Sequence, residues 1–132
     1  MGYAIGTLVA AGVAAFARGV GLDRERGFFT AVLIVVAHYY VLFAAMAGST
    51  RALATESVGL AAFTICAAIG FKRSYMLVAV GLVAHGVFDF FHAGLVTNPG
   101  VPVWWPPFCL SFDVVAGAWL AWSARRSETG AR

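Results

Sequence analysis

Residues 75–96 read YMLVAVGLVAHGVFDFFHAGLV, an apolar stretch with one aspartate and two histidines but no lysine or arginine. Its length is close to the ~20 residues that an α-helix needs to cross the ~30 Å hydrocarbon core of a bilayer. We therefore predict a transmembrane helix with ionisable side chains inside the membrane. Such side chains are costly in lipid, usually face the interior of a bundle and by default indicate function.

The other apolar stretches of the chain predict four more helices of the same kind. Of the 132 residues, 61% are hydrophobic and 11% are charged, whereas a soluble domain is about 25% charged. The stretches lie at about 3–22, 28–47, 53–71, 75–96 and 107–122. The first reaches residue 22 only if the Arg18 side chain extends to the membrane surface. We predict one domain, an all-α bundle of five transmembrane helices.

Basic residues alternate between the two sides of this predicted bundle. Eight of the nine lysines and arginines lie in the first connection, in the third connection or after the last helix, and Arg51 lies alone on the opposite side. Cytoplasmic loops contain an excess of basic residues. The pattern predicts an amino terminus outside and a carboxy terminus in the cytoplasm. The same pattern explains the net charge of +3. We therefore expect membrane lipids, and no nucleic acid, as partners.

Six ionisable residues within the predicted helices lie toward the outer side. At ~1.5 Å per residue, their depths run from about 4 to about 16 Å below the outer helix ends. They are His38, Glu56, His85, Asp89, His92 and Asp113. Residues 97–107, which contain four prolines and two tryptophans, predict an ordered outer loop, either an interfacial anchor or a lid. Together these features predict a polar site that opens outward.

The fourth helix contains the most specific spacing. At 100° per residue, His85, Asp89 and His92 form one polar stripe. Asp89 and His92 are spaced to chelate one ion, as Glu-x-x-His pairs do in carboxylate-bridged bundles. We predict Asp89, His92 and Asp113 as ligands of Zn²⁺, Fe²⁺ or Mn²⁺, with His85 and Glu56 as catalytic acid–base groups or as partners that orient the ligands. A site with two ions is the alternative.

Each of these residues also has a plainer interpretation. A buried ion pair or hydrogen bond that fixes helix packing would use the same acids and histidines. His38 fits a histidine of the core whose hydrogen bonds are satisfied, and Cys109 fits a small packing residue. We predict both as further polar residues of the membrane interior, in addition to the ligands and acid–base groups.

The stretch 85–117 resembles an uncharacterised family of small bacterial integral membrane proteins, a domain of unknown function. The resemblance depends on His85-Gly86, Asp89 and His92, followed by Trp105-Pro106, Cys109 and Asp113. It implies that these residues form one site, in a multi-pass protein of the bacterial inner membrane. It implies no reaction.

Three functions fit the pattern. The first is a metal or acid–base site that acts on a lipid-like substrate, where a metal would activate water or polarise an oxygen. The second is a proton- or ion-coupled transporter, because Asp, Glu and His chains line such pathways. The third is an accessory or assembly subunit of a membrane complex. Enzymatic activity is left open, as is assembly into a homo-oligomer or a larger complex.

Overall fold

The computed structural model describes the backbone of residues 1–130 and the side chains of residues 1–127. It is all-helical, and each of its five long helices is long and apolar enough to span a membrane. These are α1 (Gly2–Val20), α2 (Arg26–Met46), α3 (Thr50–Arg73), α4 (Tyr75–Leu95) and α5 (Trp105–Gly130), with a 3₁₀ turn at Leu22–Arg24. The prediction of five apolar helices is confirmed.

The helix ends follow from local chemistry. α1 ends two residues before the predicted boundary, because Gly21 adopts a left-handed conformation with φ of 84° that glycine accepts without steric cost. The side chain of Ser49 caps α3 by accepting a hydrogen bond from the backbone N–H of Ala52 at 3.3 Å. Ser74 caps α4 in the same way through the N–H of Met76 at 3.2 Å. The short turns make α2, α3 and α4 successive antiparallel neighbours.

The helices pack in two groups that meet at α4. α5 packs along α1 and α4, while α3 packs along α2 and α4. Small residues allow the close contacts: a Cβ atom at Gly6 would lie 2.2 Å from the Phe108 carbonyl oxygen, and one at Gly117 would lie 2.9 Å from that of Ala79. α5 is therefore held on both sides by helices that approach its backbone.

The outer surface of the bundle is apolar. Leu8 is 72% exposed, Val58 71% and Phe90 66%, and they lie on three different helices. A soluble monomer rarely exposes apolar surface on this scale. The surface is the one expected of helices that face lipid.

The bundle has two chemically different ends. The loop end comprises the start of α1, residues 47–49 and the segment 96–104, which lies against α2: a Cβ at Gly100 would overlap the Phe43 backbone. The arginine end comprises residues 21–25, Ser74 and the last described turns of α5, where the Tyr75 hydroxyl donates to the Glu25 carbonyl. Arg51 follows the turn at the loop end, and the other basic residues lie toward the arginine end, apart from Arg132, which lies outside the described residues.

Candidate functional site

Four side chains capable of binding a metal meet between α4 and α5. We call them the His–Asp–Cys cluster: His85 and Asp89 from α4, Cys109 and Asp113 from α5. One potential ligand atom from each lies within 4.8 Å of all the others. Each pair is spaced i, i+4, so that both members lie on the same face of their helix. All four residues are at most 1% exposed.

A glycine explains why the two helices come so close at this level. A Cβ atom at Gly86 would lie 3.1 Å from the Leu110 carbonyl oxygen and 3.3 Å from the Cβ of Asp113. A larger residue would therefore need the two helices to separate. Gly86 thus supports the approach of His85 to Asp113.

The hydrogen bonds of the cluster converge on one carboxylate oxygen. Asp113 Oδ2 lies 2.6 Å from His85 Nδ1 and accepts from the thiol of Cys109 at 3.6 Å. His85 Nδ1 also lies 3.4 Å from Asp89 Oδ2. That distance permits an ion pair but is too long for a good hydrogen bond, and a single N–H is already directed at Asp113. The imidazole is shared unequally between two acids.

Three polar atoms of the cluster make no hydrogen bond to any described residue. They are His85 Nε2, Asp89 Oδ2 and Asp113 Oδ1. The large majority of buried polar atoms in proteins have a partner, so such atoms need an explanation. The site therefore has unused ligand capacity on three of its four residues.

Tyr40 of α2 closes the cluster on the side of the loop end. Its hydroxyl donates to Asp89 Oδ1 at 2.6 Å, and the residue is 1% exposed. Its ring stacks on that of His92 with centroids 3.9 Å apart and an interplanar angle of 17°. Tyr40 thus connects the His–Asp–Cys cluster to a second group of polar residues.

This second group, the Glu–His–Asn cluster, comprises Glu56 of α3, His92 of α4 and Asn98 of the loop. Glu56 Oε1 lies 2.8 Å from His92 Nε2 and accepts from Asn98 Nδ2 at 2.8 Å. The Asn98 amide also donates to the Tyr40 carbonyl at 3.0 Å. The cluster therefore fastens the loop to three helices.

A cavity of about 380 Å³ lies under the loop and reaches His92. Asn98 also lines it, together with apolar and proline residues of the segment 93–106. His92 thus separates this cavity from the ring of Tyr40. The loop itself and the adjoining helix ends form this cavity, and Asn98 anchors the loop.

A larger apolar groove of about 480 Å³ lies between α1, α2 and α5. Val9 and Val13 form one wall, residues of α2 from Phe28 to Tyr39 form the other, and Trp105 and Cys109 belong to its floor. The indole N–H of Trp105 is buried and has no acceptor among the described residues. The groove therefore ends on the α5 residues that adjoin the His–Asp–Cys cluster.

The structure divides the residues predicted from the sequence into three groups. Asp89 and Asp113 meet as expected, but His85 and Cys109 join them in place of His92. His92 pairs with Glu56 instead, so the four residues that come together as possible metal ligands are His85, Asp89, Cys109 and Asp113, without His92. His38 is exposed and joins neither cluster, contrary to the expectation of a core histidine.

Two residues of the site were not predicted. Tyr40 and Asn98 make the contacts that link the clusters, and neither is ionised at neutral pH. Tyr40 lies on the buried face of α2, which includes Leu33, Ala37 and Ala44. This helical spacing was a signal available in the sequence. Asn98 lies in a proline-rich segment with no regular periodicity, and no comparable signal exists there.

Comparison of the chain with protein-family models, curated proteins and solved structures gives no match.

Proposed function

We propose that this protein is a multi-pass membrane protein whose His–Asp–Cys cluster binds a divalent transition metal. The observation on which this depends is the pair of buried aspartates that share one imidazole. Asp89 Oδ2 and Asp113 Oδ1 have no hydrogen-bond partner among the described residues. Buried polar atoms without a hydrogen-bond partner are uncommon in proteins, and a bound metal would give these carboxylates a partner.

The dimensions and donor types also fit a small metal. Ligand atoms about 2.0–2.3 Å from a tetrahedral Zn²⁺ lie about 3.3–3.8 Å apart, and the four atoms here lie within 4.8 Å of one another. His85 Nδ1 and Asp113 Oδ2, now 2.6 Å apart, would have to separate by about 0.7 Å, and the more distant atoms would have to approach. A sulfur ligand with imidazole and carboxylate favours Zn²⁺ or Fe²⁺ over Mn²⁺. Tyr40 would orient Asp89 from outside the ligand set, as such partners commonly do.

The distribution of charge supports an orientation. We propose that the arginine end faces the cytoplasm and the loop end faces outward, in a bacterial inner membrane. The cavity under the loop would then give access from outside, with the Glu–His–Asn cluster between it and the metal. Glu56 and His92 are the acid–base residues closest to this route.

We also propose that the substrate is lipid-like. The apolar groove supports this, because it lies along the lipid-facing sides of three helices and has Cys109 in its floor. Its volume is within the range of ligand pockets. A photoactivatable long-chain lipid should label α1 and α2 beside the groove, and Val13→Trp should reduce this labelling. Val58→Trp, on the exposed side of α3, is the matched control and should not.

The transporter alternative gains no support from the described residues. Between the His–Asp–Cys cluster and the arginine end the core is apolar, formed by residues such as Phe29, Leu82 and Leu120. Thr30 is the buried polar residue there, and its hydroxyl donates to the Arg26 carbonyl of its own helix at 2.6 Å. The polar path therefore ends at the cluster.

Elemental analysis tests the metal proposal with two histidine variants. The protein should be purified in detergent without a polyhistidine tag, after growth with added zinc and iron. We expect about one metal per chain in the wild type and in His38→Gln, because His38 lies outside the cluster. His85→Gln should lose the metal. Metal-free wild type, or equal loss in both variants, would contradict the proposal.

A further inference from the structure

The arginine end has two adjoining cavities, of about 320 and 410 Å³. They share Asp23, Arg24, Ser123 and Ser127, so they lie on either side of the turn between α1 and α2. The arginines that line them come from α1, the 3₁₀ turn, α2, α3 and α5, and are Arg18, Arg24, Arg26, Arg73 and Arg126. Asp23 is the acid among the described residues of their linings.

Two of these arginines have contacts that account for their positions. Arg26 Nη1 donates to the carbonyls of Phe71 and Lys72 at 3.4 and 3.5 Å, and so caps the end of α3. Arg126 lies over the ring of Trp122, 4.2 Å from its centroid. These contacts are structural, and they leave Arg18, Arg24 and Arg73 to be explained.

Arg18, Arg24 and Arg73 are exposed. The ion pairs between described residues all involve histidine, so these three side chains form no ion pair with a described carboxylate, although Asp23 lines both cavities. Guanidinium groups bind phosphate oxygens through paired, charge-assisted hydrogen bonds. Arg18 and Arg24 line one cavity and Arg24 and Arg73 the other, so each cavity has two of these groups, an arrangement suited to a phosphate group.

Apolar surface adjoins this charge. On α1, Phe16 is 60% exposed and Val20 58% exposed, on either side of Arg18 in sequence. Trp122, which lines the same cavity, is 44% exposed, and tryptophan favours the membrane–water interface. A ligand bound here would meet cationic groups at the helix ends and apolar side chains next to them.

We infer that the arginine end binds the phosphate headgroup of an anionic phospholipid, with its acyl chains along the exposed face of α1. Basic pockets between transmembrane helices on the cytoplasmic side bind such headgroups. The inference rests on the proposed insertion in a membrane and is independent of the metal. It assigns the arginines a ligand in addition to their effect on topology.

The test measures lipid binding to the full chain in detergent by native mass spectrometry. Phosphatidylglycerol should bind more tightly than phosphatidylcholine. Each arginine near a membrane surface contributes about 1 kcal/mol, so Arg24→Gln and Arg73→Gln should each weaken the phosphatidylglycerol complex about fivefold. Arg51→Gln, at the loop end, is the matched control and should leave binding unchanged.

Three results would overturn the inference. These are equal affinity for the two lipids, equal effects of Arg24→Gln and Arg51→Gln, and displacement of the lipid by millimolar inorganic phosphate, which would indicate a soluble phosphate ligand. Metal content measured on the same samples separates this outcome from the metal proposal. A protein recovered in the soluble fraction would instead refute the proposed membrane insertion.

Discussion

Replacing Tyr40 with phenylalanine removes one hydroxyl from the middle of the buried network and retains the ring. That hydroxyl donates to Asp89 Oδ1 at 2.6 Å. Without it, Asp89 would keep the 3.4 Å contact with His85 and its position beside Cys109. A hydrogen bond to a charged group contributes about 1.5–3 kcal/mol. We expect the free energy of unfolding of the metal-free protein to fall by about this amount.

The same substitution should weaken metal binding. Loss of a partner that orients a ligand typically lowers metal affinity about 10–100-fold, and Asp89 is a proposed ligand. Thermal unfolding in detergent measures the first effect, and competition with a chromophoric chelator measures the second. Both effects are needed, because a purely structural hydrogen bond would change stability alone.

Tyr39→Phe is the matched control for this experiment. Tyr39 is 36% exposed, and its ring lies 4.6 Å from that of Trp105, a contact that phenylalanine retains. We expect a change of no more than about 0.5 kcal/mol, as for most surface substitutions. If Tyr39→Phe and Tyr40→Phe have equal effects on stability and affinity, the proposed role of the Tyr40 hydroxyl is refuted.

Three further predictions follow from the arrangement. His92→Gln should leave the metal stoichiometry intact. It should accelerate hydrogen exchange in residues 97–104, because His92 holds the Glu56 carboxylate to which Asn98 of the loop is bonded. Loss of metal would show instead that His92 is a ligand. Gly86→Val should separate α4 from α5 and lower both melting temperature and metal content, whereas Gly94→Ala, which meets open space, should do neither; equal effects would contradict the close-contact argument. In intact cells, a cysteine at Ser49 should react with an impermeant maleimide and one at Ser74 should not; the reverse pattern would invert the proposed orientation.

The fold was predictable because the dominant force is visible in the sequence. A segment of about 20 apolar residues is long and apolar enough to span a bilayer, whichever helix it packs against. The stripe of His85, Asp89 and His92 was also predictable, since the geometry of one helix fixes it, and all three residues are buried. The predicted end of α1 lies two residues beyond the observed one. Gly21, which stops the helix, does not interrupt the apolar pattern from which the end was predicted.

The ligand set was less predictable, because it depends on how helices rotate and shift against one another. His92 lies only three residues beyond Asp89, but the carboxylate that it contacts belongs to Glu56 of α3. No local pattern distinguishes that partner from Asp113. On α2, Tyr40 enters the network and His38 does not, because residues two apart on a helix differ by about 200° and His38 therefore points away from the face that contains Tyr40.

The central claim is that a metal is held by His85, Asp89, Cys109 and Asp113, and X-ray absorption spectroscopy at the metal edge tests it most directly. We predict a first shell with one sulfur at about 2.3 Å and nitrogen or oxygen at about 2.0–2.2 Å. Cys109→Ser should remove the sulfur component. A metal-free protein, or a shell of oxygen and nitrogen that Cys109→Ser leaves unchanged, would contradict the account.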